Sequence, residues 1–253
     1  MRRIIVLNSK GGCGKTTVAT NLASCYAAKG YSTVLFDYDP QASSYQWLQR
    51  RAEDKPPIHG VSAAENGGMS QGLRTTRSWH MRLPPNTQCV VLDTPAGARI
   101  SDFAPQIQES DAILLPVLAS PIDIQASAAF IQDLLLVGKL RKYKTRLGIV
   151  ANRLRSNTNA LASLERFLNT LEIPVVARLR DAQRYISAAE QGLGVHELGG
   201  KGAYVDSLVW DATLDWIEQK EINSLAHTFT ARLRSNKLNE EKTNPSCPEH
   251  SRQ

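Results

Sequence analysis

The chain has 253 residues, of which 42% are hydrophobic and 21% charged, and its net charge is +6. This length and composition suit one α/β domain with a buried core and exclude a largely disordered chain. A net positive charge favours binding to anionic partners such as nucleic acid or an anionic membrane, although it also increases solubility. No run of about 18 apolar residues occurs, so we expect no membrane-spanning segment.

The four cysteines form no CxxC pair, and none lies near a histidine at the spacing of metal ligands. We therefore expect neither a structural zinc site nor a disulfide framework. Reduced cysteines in a cytosolic protein are the simplest interpretation.

Short apolar runs alternate with helical patterns, which predicts an α/β fold in three layers. Residues 3–8 predict a buried strand that stops at a glycine-rich loop, 15–29 a helix that ends before Gly30, and 32–37 a second strand. Further strands are predicted at 89–93, 111–117, 146–152 and 175–179, and helices near 41–52, 122–140, 157–171 and 181–191. Residues 203–235 predict one long helix or two successive helices. We expect a mostly parallel, twisted sheet flanked by helices.

Two stretches carry weaker patterns. The stretch 53–87 holds three Pro-Pro or Gly-Gly pairs and predicts loops with one short helix. Residues 236–253 are polar with two prolines, which predicts a disordered tail after a domain spanning 1–235.

The loop after the first strand reads KGGCGKTT from Lys10 to Thr17. Glycines let backbone N–H groups turn toward phosphates, and the following helix directs its positive dipole end at the same anion. Lys15 is expected to reach the β- and γ-phosphates and the Thr16 hydroxyl to ligate Mg²⁺. The predicted nucleotide-binding residues of this loop are Gly11, Gly12, Cys13, Gly14, Lys15, Thr16 and Thr17. The sequence therefore predicts a P-loop that binds ATP with Mg²⁺.

Acidic residues follow two of the predicted strands. Asp37 and Asp39 lie in FDYDPQ, where a carboxylate can orient water or metal near the γ-phosphate, although a simple Asp-Pro turn would also explain the pattern. Asp93 ends the apolar strand VVLD, which is a Walker B pattern and predicts a carboxylate that holds Mg²⁺ through water.

Three segments, KGGCGKTT at 10–17, DYDPQ at 37–41 and LDTPAG at 92–97, together resemble the ParA/MinD family of deviant Walker A ATPases. Further likeness falls at 115–123, 150–153 and 188–192, so that the resemblance covers about residues 1–235. The spacer before the Walker B strand is shorter than in many ParA proteins, and we expect no helix-turn-helix domain before the P-loop. This compact form resembles ATPases that position a cargo and rely on another protein for partner recognition.

The resemblance implies an ATP-dependent homodimer in which Lys10 crosses to the partner's ATP, much as an arginine finger does. It further implies that Asp39 orients the attacking water and that Asn152 contacts the adenine. The implied catalytic residues are Lys10, Lys15 and Asp39, and the implied Mg²⁺ residues are Thr16, Asp39 and Asp93.

Within the family, the residues favour the ParA branch. After Asn236 only Leu238 is large and apolar, so we expect no membrane-binding helix of the MinD kind, and no cysteine pair suits an iron–sulfur cluster. The ParA branch implies binding to double-stranded DNA without sequence preference. The expected DNA contacts are Arg178, Arg180, Arg184, Arg232 and Arg234. A solvated basic face is the alternative explanation of each cluster.

The resemblance therefore predicts a cytoplasmic, nucleoid-associated ATPase that positions a cargo, with an adaptor like ParB or McdB in role stimulating hydrolysis. Carboxysome-distribution ATPases of the McdA type are the first interpretation, and a plasmid or chromosome partition ATPase is the second. A membrane-bound regulator of the MinD type and a dethiobiotin-synthetase-like ligase, which would not need Lys10, stay open as alternatives.

Overall fold

The computed structural model describes residues 1–62, 83–136, 145–156, 158–171, 173–200 and 202–219. Met1–Ile217 form one compact unit and Glu218–Gln253 a second. The predicted boundary between residues 235 and 236, the predicted tail and the two arginines Arg232 and Arg234 lie outside the described residues. Among the helices of these ranges, none combines the length and the apolar character that crossing a membrane requires.

Strands and helices alternate along the described chain. The strands are β1 (Arg2–Val6), β2 (Thr33–Asp37), β3 (Ile58–Ser62), β4 (Cys89–Asp93), β5 (Ala112–Leu118), β6 (Arg146–Leu154) and β7 (Val175–Arg180). The helices are α1 (Lys15–Ala28), α2 (Ser43–Gln49), α3 (Ala104–Glu109), α4 (Pro121–Leu136), α5 (Asn159–Asn169), α6 (Gln183–Glu190) and α7 (Ala203–Glu218), with a short 3₁₀ turn at Val195–Glu197.

The strands form one seven-stranded sheet in the order β3-β2-β4-β1-β5-β6-β7. All of the strand pairs are parallel. The predicted α/β fold with a mostly parallel sheet is thus confirmed. Strand β1 lies between β4 and β5. From β1 the chain passes to β2 and β3 on one side of the sheet, and after β4 it continues with β5, β6 and β7 on the other side. The loop that follows β1 therefore lies where the order of the strands changes direction. In open α/β sheets, ligands bind at such a point, beyond the carboxyl ends of the strands.

Two buried clusters, one on each face of the sheet, make up the core. On one face Ile5 packs with side chains of α3, α4 and α5, including Ile107 and Leu134. On the other face Ile4 packs with side chains of α1, α2 and α7, including Leu22. Neighbouring residues of β1 therefore face opposite layers, as the two-residue period of a strand requires. The sheet is enclosed on both faces, which explains why the strands read as continuous apolar runs.

The stretch 53–87 contains a strand that was not predicted there. Strand β3 pairs with β2, whereas the sequence predicted loops with one short helix for this stretch, so that prediction was wrong over Ile58–Ser62. Only the last two residues of β3 are buried, so it lacks the apolar run of a central strand. Gly60 lets it approach α2 closely, because a Cβ there would lie 2.7 Å from Leu48 Cδ1. Helix α3 was not predicted either, since its six residues are too few to show a helical period.

Candidate nucleotide site

The predicted P-loop follows β1, and helix α1 begins directly after it at Lys15. Gly12 and Gly14 have φ angles of 75° and 96°, in the left-handed region that glycine adopts most readily. At Gly14 glycine is required for a second reason, because a Cβ there would lie 2.0 Å from Asn152 Nδ2. The loop therefore takes a shape that brings backbone N–H groups and the positive end of α1 to the carboxyl edge of the sheet.

The carbonyl oxygen of Lys10 accepts hydrogen bonds from two side chains of the loop. Lys15 Nζ donates a hydrogen bond to it over 3.0 Å, and Cys13 Sγ donates to it over 3.2 Å. Lys15 is only 6% exposed, so its ammonium group is held inside the loop, where phosphates would bind. Burial raises the pKa of the Cys13 thiol, while the Lys15 charge opposes that rise, so the thiol stays protonated at neutral pH.

The side chain of Lys10 leaves the loop and reaches α4. Its Nζ lies 3.3 Å from Asp123 Oδ1, and Asp123 also accepts a hydrogen bond from Ser120 Oγ. The Lys10 side chain is 38% exposed and that of Asp123 is 13% exposed. Asp123 lies in the segment 115–123 that resembles the family, and its sequence pattern predicted no role for it. The fold reveals it as the counter-ion of Lys10.

Two carboxylates lie side by side where β2 and β4 end. Asp37 and Asp93 are partners in the register of the two strands, and both are buried. Asp37 is fully engaged, because its Oδ1 accepts from the N–H of Asp39 and its Oδ2 from the N–H of Tyr45, both over 2.9 Å. Neither oxygen of Asp93 has a hydrogen-bond partner among the described residues. Asp39 is half-buried, and its Oδ1 accepts from the N–H of Gln41 over 2.9 Å.

The buried Asp93 carboxylate lacks a hydrogen-bond donor among the described residues. Burial, and next the charge of Asp37, raise the pKa of Asp93 to about 7, whereas the hydroxyls of Thr16 and Ser44 and the ammonium of Lys15 oppose that rise. A cation beside these oxygens would satisfy the carboxylate and keep it ionised. Carboxylate and hydroxyl oxygens suit Mg²⁺, which keeps several waters of its own.

We predict that Asp93→Asn stabilises the protein without nucleotide or Mg²⁺, and does so by more at pH 8 than at pH 5. The folded pKa of Asp93 is about 7 against an ordinary 3.8, so the folded state holds the proton more tightly. The free energy of unfolding of the unsubstituted protein therefore falls as pH rises from about 4 to about 7. Asparagine removes that dependence, with a gain of up to about 4 kcal/mol at pH 8.

Urea unfolding with EDTA at pH 5, 6, 7 and 8 measures this difference. Asp37→Asn is the matched comparison, since Asp37 already accepts two backbone hydrogen bonds. An equal difference between Asp93→Asn and the unsubstituted protein at every pH would contradict the prediction.

A cavity of about 420 Å³ lies beside the P-loop. Among its lining residues are Thr17, Asn152, Arg153, Asp181 and Tyr185. The Asn152 amide donates to the carbonyl of Cys13 over 2.8 Å, and its oxygen accepts from the N–H of Arg153. The sequence analysis named Thr17 and Asn152 and missed the other three. Asp181 and Tyr185 follow β7, so only the strand order brings them to this place.

The three described arginines among the predicted DNA contacts all have partners within the chain. Arg178 pairs with Glu165 on α5, and this pair is exposed. Arg180 donates to Asp206 over 2.8 Å, and Arg184 lies 3.4 Å from the same carboxylate. The guanidinium of Arg184 also donates to the carbonyls of residues 198 and 199. Since Asp206 is only 2% exposed, Arg180 and Arg184 neutralise a buried charge in addition to any outward role.

Comparison with known proteins places this site in a family. The model of the CobQ/CobB/MinD/ParA nucleotide binding domain matches residues 4–195. The chain belongs to this family. The matched range contains the P-loop, both acidic strand ends and Asn152, so the chain is a P-loop ATPase.

Similar proteins extend over most of the chain. A maintenance of carboxysome distribution protein A from Halothiobacillus neapolitanus is 28% identical over 202 residues, which cover 79% of this chain and 88% of the relative. A chromosome-partitioning ATPase Soj from Thermus thermophilus is 49% identical over 134 residues, covering 51% of each chain. A solved ATP complex of Cyanothece McdA has a TM-score of 0.64 at 18% identity, covering 88% of this chain and 98% of that one. The last comparison bears on the fold alone.

Proposed function

We propose that this family member is an ATP-driven positioning protein of the ParA type that distributes a cargo, with carboxysomes as the first candidate. The observation that carries the proposal is similarity to a carboxysome distribution protein over 79% of the chain, together with a P-loop that begins at Lys10. It acts in the cytoplasm on nucleoid DNA, and an adaptor protein in the role of ParB or McdB stimulates its hydrolysis.

In this proposal ATP binds with its phosphates in the P-loop. Backbone N–H groups of Gly11 to Thr17 and the ammonium of Lys15 neutralise the phosphate charge. The base enters the 420 Å³ cavity, whose lining residues include Asn152, Thr17, Tyr185 and Asp181. Asn152 keeps one amide hydrogen after donating to Cys13, which leaves it a donor for the adenine ring.

Thr16, Asp93 and Asp39 would hold Mg²⁺ in this arrangement. The two unpartnered oxygens of Asp93 support that assignment, because a buried carboxylate without donors needs a positive charge nearby. Mg²⁺ bound there supplies neutralisation of the charge on the β- and γ-phosphates. Asp39 orients the attacking water, since its Oδ1 accepts from the N–H of Gln41 and its second oxygen stays available for that water.

Lys10 acts across an ATP-dependent homodimer. Its pairing with Asp123 is a partly exposed ion pair, worth about 1 kcal/mol or less. The clustered charges of a phosphate chain attract an ammonium group more strongly than one carboxylate does. Lys10 therefore exchanges Asp123 for the partner's ATP when two subunits close around nucleotide, and dimer closure completes each site.

Binding to double-stranded DNA follows dimer closure, with Arg178, Arg180, Arg184, Arg232 and Arg234 as the proposed contacts. Arg178 offers the cleanest test, because its ion pair with Glu165 is exposed and little is lost with it. Replacing Arg180 or Arg184 would instead leave the buried Asp206 short of a counter-charge and lower stability.

The test is binding to nonspecific double-stranded DNA with ATP, with ADP and without nucleotide, over a series of salt concentrations. We expect binding with ATP only, weakening steeply as salt rises. Arg178→Ala should reduce the slope of log affinity against log salt by about one unit. The control is Arg2→Ala, since Arg2 is the first residue of the central strand β1, whereas Arg178 lies on the edge strand β7. Arg2 also pairs with an acidic residue, Asp111.

Absence of DNA binding in every nucleotide state would contradict the proposal. Binding to anionic liposomes without DNA binding would favour a membrane regulator of the MinD type.

Partition of a plasmid or chromosome is the second candidate cargo function. The 49% identity to a chromosome-partitioning ATPase over 134 residues favours it. The two candidates share the ATP and DNA chemistry and differ in cargo. Fluorescent fusions distinguish them, because loss of the protein should mislocalise either carboxysomes or a DNA replicon.

A further inference from the structure

The first turn of α2 carries a buried hydroxyl group without a partner. Ser44 is 0% exposed, and its Oγ has no hydrogen-bond partner in the part of the chain that the structure describes. A hydroxyl buried in this way costs about 1–3 kcal/mol unless it finds a partner. This hydroxyl is therefore available to a neighbouring acceptor or to a group that a ligand brings.

The neighbour of this hydroxyl is the equally unpartnered carboxylate of Asp93. Ser44 is next to Tyr45, whose N–H donates to Asp37 Oδ2, so that Asp37 holds α2 in this position. Asp37 is also the register partner of Asp93 on the neighbouring strand. In keeping with this placement, the hydroxyls of Ser44 and Thr16 oppose the rise in the pKa of Asp93. Oxygen atoms from α1, α2 and β4 thus converge on one buried point at the carboxyl edge of the sheet.

We propose that Ser44 is a positioning residue of the Mg²⁺–nucleotide site. Its hydroxyl hydrogen-bonds the Asp93 carboxylate or a metal-held water and so orients both toward the cation. The inference rests on the Mg²⁺–ATP site proposed above and adds a residue that the P-loop and Walker B patterns do not contain. Groups that orient a metal's own ligands typically change metal affinity by roughly 10- to 100-fold when removed.

Because Ser44 belongs to α2, its contact with the metal site would couple cation binding to the position of that helix. The second half of α2 and the residues that follow it contact the segment around Leu193 and Glu197. Trp47 Nε1 donates to the carbonyl of Leu193, and Arg51, just beyond the helix, pairs with Glu197 over 2.6 Å.

The first turn of α2 carries Ser44 and Tyr45, and the N–H of Tyr45 donates to Asp37 at the end of β2. Mg²⁺ bound beside Asp93 should therefore change the surroundings of this turn. The indole of Trp47, which is 3% exposed, lies one turn away.

Mg²⁺ titrated into the full chain with ADP tests the proposal without hydrolysis. The readouts are the Mg²⁺ dependence of ADP affinity, measured by calorimetry, and the emission of Trp47, assigned by comparison with Trp47→Phe. For Ser44→Ala we expect the half-saturating Mg²⁺ concentration to rise about tenfold or more, with ADP affinity in EDTA changed less than about twofold. Ser44→Cys keeps nearly the same volume but is a weak donor, so it should behave like Ser44→Ala.

Ser43→Ala is the matched control, because Ser43 is the exposed neighbour on the same turn. It should titrate like the unsubstituted protein. The proposal is overturned if Ser44→Ala does the same, if Ser43→Ala loses as much Mg²⁺ affinity, or if Ser44→Ala loses ADP affinity equally in EDTA. An unsubstituted protein whose ADP affinity ignores Mg²⁺ would instead overturn the Mg²⁺–ATP site itself.

Discussion

Lys15→Ala is expected to lower ATP affinity roughly 100-fold or more and to abolish ATP-dependent binding to DNA. Lys15 is 6% exposed and its ammonium is held within the P-loop by the carbonyl of Lys10, so it meets phosphate without having to be ordered first. A charge-assisted contact to phosphate in such a setting is among the stronger hydrogen bonds in proteins. Removing one partner of a buried charged contact typically costs about 2–5 kcal/mol.

Equilibrium binding of a fluorescent ATP analogue measures the loss, and thermal unfolding checks that the variant is folded. Lys29→Ala is the control: Lys29 follows the same helix at its far end, where its exposed side chain pairs with Asp211. It should bind ATP normally. A folded Lys15→Ala protein that binds both ATP and DNA would refute the assignment of the phosphate loop.

Asp39→Ala is expected to slow ATP hydrolysis by about 10²- to 10⁴-fold while ATP binding and ATP-dependent dimerisation persist. The reason is that Asp39 sits beyond the end of β2, half-buried, and holds only the backbone N–H of Gln41 through Oδ1. Its side chain makes no hydrogen bond to the P-loop among the described residues, and Thr16 and Asp93 remain to hold Mg²⁺, so its removal should leave the binding of phosphates intact. Its expected contribution lies in orienting water for attack.

Phosphate release and size-exclusion chromatography with ATP separate these two effects. Asp39→Asn preserves an oxygen for the N–H of Gln41 and so keeps the turn, yet it should hydrolyse ATP as slowly as the alanine variant. Asp54→Ala is the control, because the Asp54 side chain is 71% exposed on another loop. Unchanged turnover in Asp39→Ala would remove Asp39 from the mechanism.

The P-loop, the acidic strand ends and most strand positions were predictable from the sequence for a local reason. A glycine that must adopt a positive φ, a lysine that follows it and an apolar run that ends in aspartate are contiguous in the chain, and their chemistry needs no distant partner. The strand Cys89–Asp93 was predicted with the bounds that the structure has. Strand β3 was not predicted because its residues are only partly buried and form no continuous apolar run, so that its burial depends on β2 and α2.

The sequence by itself therefore determined that this chain folds as an α/β nucleotide-binding ATPase and where its P-loop lies in the chain. Only the tertiary structure decided the partners of these residues: Asp123 beside Lys10, Ser44 beside Asp93, and Asp206 beneath Arg180 and Arg184. Each of these pairs joins elements that lie far apart in the chain. Charge pairing and burial depend on distance in space, which the order of strands in the sheet sets and which local sequence patterns do not encode.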